Sequence, residues 1–176
     1  AENNNTEAAV KAFRKLTDDL PDHALTPFAR FQLANVYLAR EEFEAAANEF
    51  AAVAGSGASE PLRAEARFRA AEIYDRIGWF TAAVQAYEQL KKEFPASEYA
   101  ARADYGYVWS LYHAGKHPEA LAAADAFLKA HPDAPERLGV QYLTGNCLQQ
   151  QQRYDEAMAV YRQILKDSPK SEFAAR

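Results

Sequence analysis

The chain has 176 residues, of which 49% are hydrophobic and 26% are charged, and its formal net charge is −5 at pH 7. The negative charge and the lack of a dense Lys/Arg cluster argue against a nucleic-acid-binding surface. No apolar run approaches the roughly 18 residues of a membrane span. The single cysteine excludes an internal disulfide and leaves the compartment open.

The N-terminal segment, residues 1–25, contains one predicted helix, Thr6–Leu20, which ends before Pro21. Ala9, Phe13 and Leu16 fall on one face of this helix. The spacing is that of the second helix in the helix pairs that follow, but a first helix is missing. We expect this helix to be the second half of a preceding repeat, in a chain that was cut from a longer array. A native cap is the alternative.

Four helix pairs follow along the chain. The central one shows the pattern most clearly, because Gly78 interrupts one apolar stripe and Pro95 ends the next. Neither helix of a pair is long enough to be stable alone in water, so the pairs must pack on one another. The predicted helices are Thr26–Arg40, Glu42–Ala54, Glu60–Ile77, Phe80–Glu93, Ser97–Ala114, Pro118–Ala130, Pro135–Gln151 and Tyr154–Asp167.

The pairs repeat with a period of 37 residues and without gaps. An alanine recurs in the second helix of every pair. When the four repeats are aligned, each neighbouring column of equivalent positions holds mostly large or mostly small side chains. This agreement predicts an array of repeats in which the helices cross closely at the alanine. The most regular columns are Ala46/Ala83/Ala120/Ala157, Phe31/Phe68/Tyr105/Tyr142, Tyr37/Tyr74/Leu111/Leu148 and Ala34/Ala71/Val108/Gly145.

These columns, together with Gly78 and Gly115 at the turns and the closing prolines, resemble the tetratricopeptide repeat (TPR) family. The family implies an all-α right-handed superhelix of antiparallel helix pairs. Residues 26–170 would hold four repeats (27–63, 64–100, 101–137 and 138–170), and 171–176 would begin a further helix. The chain departs from the family pattern by lacking Trp at the fourth repeat position and by carrying Glu41 and Gln152 in place of turn glycines.

The period of 37 and the connectors FPASEYAAR and SPKSEFAAR look more like the bacterial envelope branch of the family. That branch includes the outer-membrane assembly lipoproteins and the Tol–Pal accessory proteins. We therefore expect a soluble periplasmic or cytoplasmic protein without membrane insertion, and the resemblance favours the bacterial periplasm.

The sequence offers little catalytic chemistry. Cys147 lies among positions of the first helix that hold small residues, and we predict that it is a buried hydrophobic residue. His113 and His117 are four residues apart, but Gly115 and Pro118 place them across a turn, which argues against a shared metal ion. There is no Gly-rich phosphate loop or nucleophile elbow. We expect no enzyme activity, cofactor or metal; a catalytic partner domain outside this chain is a minor alternative.

The resemblance implies that one face of each first helix lines a concave groove. The mapped positions include His113 and Gly139, and the candidates that we single out are Phe31, Asn35, Phe68, Glu72, Arg102, Tyr105, Trp109, Tyr112, Tyr142 and Asn146. Trp109 with Tyr112 beside Arg102 suits a peptide with an apolar anchor next to an acidic group. Alternatively, the aromatic column only packs helix on helix, and Trp109 is buried in the stack.

The predicted function is a non-catalytic scaffold that binds a protein or peptide segment in this groove. The alternative is a structural module that self-assembles through its open repeat ends, which would give a weak homo-oligomer.

Overall fold

A computed structural model describes residues 2–171 and 173. The described residues form nine α-helices and no strand, which confirms the all-α fold. They divide into two compact units, unit 1 (Ala1–Ala100) and unit 2 (Ala101–Arg176). In chain order the helices are α1 Glu2–Asp19, α2 Thr26–Ala39, α3 Phe43–Ala54, α4 Glu60–Arg76, α5 Phe80–Glu93, α6 Ala100–His113, α7 His117–Ala130, α8 Arg137–Gln150 and α9 Tyr154–Asp167.

The predicted helix bounds agree with these to within a few residues. The largest differences are at three N-termini, because α1 begins at Glu2, α6 at Ala100 and α8 at Arg137. Before α6 and α8 the chain forms turns, as in the bond from the Ala100 amide to the Ser97 carbonyl (3.0 Å). These turns follow prolines, whose fixed φ and missing N–H favour a turn over an early helix start.

In unit 1 each helix packs on the next along the chain, from α1 to α5. The N-terminal helix α1 is held on α2 by Arg14, whose Nε donates a hydrogen bond to the Tyr37 hydroxyl (2.6 Å) and whose guanidinium lies 5.6 Å from the centre of that ring. Val10 and Phe13 pack against the core cluster centred on Phe50. The helix is thus packed onto the core of unit 1.

In unit 2, one core contains Val108 of α6, Ala124 and Phe127 of α7, and Val140 and Leu143 of α8. Helix α8 packs on both α7 and α9. The recurring alanine is almost fully buried in both units: Ala46, Ala83 and Ala120 are at 0% exposure and Ala157 is at 3%.

The turn inside each helix pair repeats in detail. At positions 41, 78, 115 and 152, which are 37 residues apart, the backbone has φ between 59° and 79°. The next residue donates its amide to a carbonyl five residues back, as from Trp79 to Tyr74 (2.8 Å). This is the Schellman motif, which satisfies the last carbonyls of a helix through a left-handed residue. Glycine occupies two of these positions, and Glu41 and Gln152 the others.

Candidate functional site

A cavity of about 440 Å³ opens between α6 and α8 in unit 2. We call it the α6–α8 cavity. It brings together five of the predicted groove residues: Tyr105, Trp109, Tyr112, Tyr142 and Asn146. The side chains or backbone of His113, Gly139, Leu143 and Phe173 complete the lining.

Gly139 of α8 lines the cavity close to Tyr105 of α6. A Cβ atom at Gly139 would lie 3.6 Å from Cζ of Phe173 and 3.8 Å from the hydroxyl oxygen of Tyr105. Those distances are ordinary van der Waals contacts, so a methyl group fits, but a larger side chain would enter the space between the two rings. Gly139 therefore sets the width of the cavity.

The equivalent positions of unit 1 carry charged side chains. Glu65 and Arg69 hold the positions of Gly139 and Leu143, and they form an ion pair (2.7 Å). The Arg69 guanidinium lies 5.7 Å from the ring centre of Phe31 and 5.9 Å from that of Phe50. Arg69 thus lies over Phe31 of the aromatic column in unit 1, whereas Tyr105 and Tyr142 line a cavity in unit 2.

Two predicted groove residues are therefore core residues. Phe31 is 7% exposed and Phe68 is 3% exposed. Phe31 meets Phe50 edge to face, and Phe68 lies between Tyr87 and Tyr99 at ring-centre distances of 6.1 and 5.1 Å. Their burial favours the helix-packing interpretation at these two positions, and the groove assignment stays a prediction.

The other three candidates lie apart from the cavity lining. Asn35 is half-buried on α2, and Glu72 is exposed on α4. Arg102 is exposed on α6, one turn before Tyr105, and is not among the residues that line the cavity. The expected guanidinium beside the rings is therefore not part of the cavity wall.

Trp109 is a surface residue, since 38% of it is exposed. Its indole packs on the His113 ring at a centre distance of 4.3 Å, and the same imidazole meets Tyr112 edge to face at 5.1 Å. Burial lowers the pKa of His113, so that this side chain is neutral at pH 7. The three rings form a fixed, uncharged wall along α6.

On the opposite wall, Asn146 is oriented by α9. The Tyr161 hydroxyl donates a hydrogen bond to its Oδ1 atom (2.7 Å). This bond uses one of the two lone pairs of the amide oxygen, so Oδ1 can still accept and Nδ2 can still donate a hydrogen bond to a ligand. Burial, followed by the neighbouring phenols of Tyr142 and Tyr112, raises the pKa of Tyr161 and keeps its hydroxyl protonated.

A second cavity of about 290 Å³ adjoins the first. It shares Tyr142, Asn146 and Phe173 with the α6–α8 cavity and extends along α9 to Leu165, which is 48% exposed. The Phe173 ring lies 5.4 Å from that of Tyr142. The two cavities form adjacent subsites on one face of unit 2.

Sequence reasoning did not single out Leu143, Phe173, Tyr161 or Gly139. One signal was present for Phe173, because the connectors FPASEYAAR and SPKSEFAAR place Tyr99 and Phe173 at equivalent positions. Tyr99 stacks on Phe68, and Phe173 packs on Tyr142, 31 residues earlier in both cases. The aromatic residue of the connector therefore packs on the aromatic column of the preceding first helix.

Other chemistry is limited in the described residues. Cys147 is 1% exposed, and burial raises the pKa of its thiol to about 11. Within residues 2–171 and 173, no group of three His, Cys, Asp or Glu side chains is placed to hold a metal ion. In the same range, none of the helices has the length and hydropathy to cross a membrane.

The sequence of the repeats matches a known family. Residues 63–176 match the family described as YfiO, outer membrane lipoprotein. The chain belongs to this family. A YfiO-type relative, the outer membrane protein assembly factor BamD of Neisseria meningitidis serogroup B, is 35% identical over 66 residues. That match spans 38% of this chain and only 25% of BamD.

Solved structures show the same TPR solenoid. YrrB, a TPR protein with an unusual peptide-binding site, superposes with a TM-score of 0.72 at 16% identity and covers 99% of this chain and 84% of its own. MamA from Desulfovibrio magneticus RS-1 has a TM-score of 0.67 at 15% identity, and the match covers 95% of this chain and 88% of MamA. A TPR protein from Parabacteroides merdae has a TM-score of 0.70 at 13% identity, and the match covers 97% of this chain and 63% of that protein. These likenesses establish the fold.

Proposed function

We propose that this chain is a non-catalytic scaffold that binds a segment of another protein in the α6–α8 cavity. The observation that carries the proposal is a set of accessible rings, Tyr105, Trp109, Tyr112 and Tyr142, gathered around a cavity that Gly139 keeps open. Trp and Tyr are the residues most enriched among binding hot spots. Rigid repeat packing holds them in place before binding, which lowers the ordering cost.

Kinship with BamD supports a role on the periplasmic side of the bacterial outer membrane, in the assembly of membrane proteins. The chain matches only a quarter of BamD, so this role is part of the proposal. YrrB, whose printed description includes a peptide-binding site, supports peptide binding as a use of this architecture.

Selection from a random peptide display library tests the proposal. The wild-type chain should enrich peptides, and Gly139→Leu should lose them because the leucine side chain fills the cavity. Trp79→Ala is the matched control, since Trp79 is exposed to a similar extent (44%) but lies in unit 1, stacked on Tyr74. Equal enrichment by Gly139→Leu and the wild type would refute the proposed site.

A second function, self-assembly through repeat ends, is favoured by one observation. The large apolar residues Tyr154, Met158 and Leu165 of α9 are 59%, 46% and 48% exposed. The equivalents of Met158 and Leu165 in α3, Ala47 and Ala54, are covered in unit 1. If this face joins two copies, sedimentation should show weak association that Met158→Glu abolishes. A monomer at high concentration would exclude it.

A further inference from the structure

The exposed apolar face of α9 is symmetric about its own middle. Tyr154, Met158, Tyr161 and Leu165 fall on one side of the helix, at spacings of four, three and four residues. We call this row the α9 stripe. Tyr154, Met158 and Leu165 are exposed, and Tyr161 is half-buried. Because the spacing is the same in both directions, an antiparallel second copy of α9 matches the stripe with Tyr154 opposite Leu165 and Met158 opposite Tyr161.

Charged side chains lie in the row beside the α9 stripe. This row holds Asp155 near the start of the helix and Arg162 and Lys166 towards its end, and all three are exposed. The other charges at the start of α9, Arg153 and Glu156, pair with each other (2.7 Å). In the described part of the chain, Asp155, Arg162 and Lys166 form no ion pair. One edge of the stripe therefore carries unpaired charges of opposite sign at its two ends.

An antiparallel pair of α9 helices brings these opposite charges together. A two-fold axis between Ala159 and Val160 places Asp155 roughly 3 Å along the helix axis from both Arg162 and Lys166 of the second copy. The same contact forms again with the copies exchanged, as an isologous interface requires. In a parallel pair each residue is level with its own copy, and Asp155 is roughly 10 Å along the axis from the nearer cation, Arg162. The charges thus favour the antiparallel arrangement.

Two other surfaces of the chain fit the α9 stripe less well. The exposed residues of α1 between positions 7 and 19 are charged residues or alanines, so head-to-tail stacking offers no large apolar counterpart. Leu25 and Phe28 of unit 1 are exposed apolar residues. Leu25 precedes α2 and Phe28 lies in its first turn, so these two do not form a helical stripe of matching length.

From this self-complementarity we propose that a second copy of this chain covers the α9 stripe, in a two-fold symmetric dimer with antiparallel α9 helices. Asp155 of each copy pairs with Arg162 and Lys166 of the other. The inference rests on the self-assembly function proposed above and gives it a geometry. Four apolar side chains per copy make a small interface, so the dimer is weak. The stripe shares no residue with the α6–α8 cavity, so the dimer and the peptide site use different side chains.

Sedimentation equilibrium of the full chain tests the contact. We expect a monomer–dimer equilibrium with a dissociation constant on the order of 100 μM. Met158→Glu should weaken it at least about tenfold, because the carboxylate enters the middle of the apolar stripe. Phe28→Glu is the matched control: Phe28 is exposed to a similar extent but lies in unit 1, so this variant should dimerise as the wild type does.

Two results of this experiment would overturn the inference. A wild-type chain that stays monomeric at about 1 mM would mean that a different occupant covers the stripe. An equal loss of association in Phe28→Glu would assign the contact to another surface.

A charge exchange tests the antiparallel orientation. Asp155→Lys alone, and Arg162→Asp with Lys166→Asp, should each weaken the dimer about fivefold, because like charges then meet across the axis. All three changes together should restore the wild-type dissociation constant, since every pair is attractive again. Melting temperatures of the variants check that each one is folded. A triple variant as weak as the other two would contradict the proposed pairing.

Cross-linking tests the orientation without changing any charge. Copies carrying Tyr154→Cys are mixed with copies carrying Leu165→Cys and treated with a short thiol-reactive cross-linker, to which the native Cys147, at 1% exposure, should be inert. Only unlike copies should join, because the two copies of residue 154 are roughly 16 Å apart along the axis. Equal joining of like copies would overturn the antiparallel dimer. If Met158→Glu still abolishes association in that case, self-assembly through α9 stands and only its geometry is wrong.

Discussion

Gly145 of α8 packs directly against the ring of Tyr161 on α9. A Cβ atom at Gly145 would lie 2.7 Å from Cζ of that ring, well inside van der Waals contact. The third repeat holds Val108 and Ala124 at the same two positions, and both belong to its core. A large residue on one helix is thus matched by a small one on the other, and the pair sets how closely the two helices approach.

Replacing Gly145 with alanine should destabilise the chain. The new methyl group forces the Tyr161 ring to move, at a cost of about 1–3 kcal/mol, which exceeds the gain in helix propensity of up to about 1 kcal/mol. Urea unfolding measures the difference. The double variant Gly145→Val with Tyr161→Ala, which copies the third repeat, should lose less than the sum of its single changes. Strict additivity would show that the two residues do not form a packing pair.

At the left-handed turn positions, introducing a glycine and removing one should change the stability of the chain in opposite directions. Glu41→Gly and Gln152→Gly should each stabilise the chain by about 1 kcal/mol, because their φ values of 59° and 60° are costly for a residue with a Cβ atom. Gly78→Ala and Gly115→Ala should destabilise it by a similar amount at φ 79° and 73°. Thermal unfolding of the four variants checks this. Destabilisation by both Glu41→Gly and Gln152→Gly would contradict the turn assignment.

Cys147 should make the chain sensitive to alkali. Burial raises the pKa of its thiol from 9.0 to about 11, so the unfolded state loses this proton before the folded state does. The contribution of this thiol to the unfolding free energy is therefore fully present below pH 9. It falls by about 2–3 kcal/mol as the pH rises from 9 to 11. Cys147→Ala should remove this slope between pH 9 and 11, whatever its stability at pH 7. An identical slope in the variant would assign the effect to other groups.

The repeat alanines should not tolerate larger side chains. Ala83 and Ala120 are fully buried, so Ala83→Leu or Ala120→Leu should overpack the core and cost about 1–3 kcal/mol. Ala122 lies on the exposed side of α7, and Ala122→Leu should be close to neutral. Equal melting temperatures for Ala120→Leu and Ala122→Leu would show that the assigned register is wrong.

Periodicity predicted most of the fold, because each repeat obeys the same local rules. The alanine column, the turn positions and the helix bounds follow from spacing alone. The burial of Cys147 was also predictable, since small residues surround it on its helix face. Less predictable were the turns after Pro95 and Pro132, where proline and tertiary packing delay the start of α6 and α8.

The site was predicted only in part, because one column serves two purposes. Phe31 and Phe68 occupy the same column as Tyr105 and Tyr142, yet the first two are buried and the others line a cavity. The difference depends on the neighbouring helix: Arg69 covers the rings in unit 1, whereas Gly139 leaves space in unit 2. Spacing places a residue on a face, but it does not show what lies opposite.

The central claim is that Trp109 belongs to a binding surface and not to the core. Measuring the unfolding free energy of Trp109→Ala, alongside its affinity for the selected peptides, tests this most directly. Because Trp109 is 38% exposed, we expect stability within about 1 kcal/mol of the wild type and binding weaker by about 2 kcal/mol or more. A loss of about 3–5 kcal/mol in stability, as for a core aromatic residue, with peptide affinity unchanged, would contradict the account.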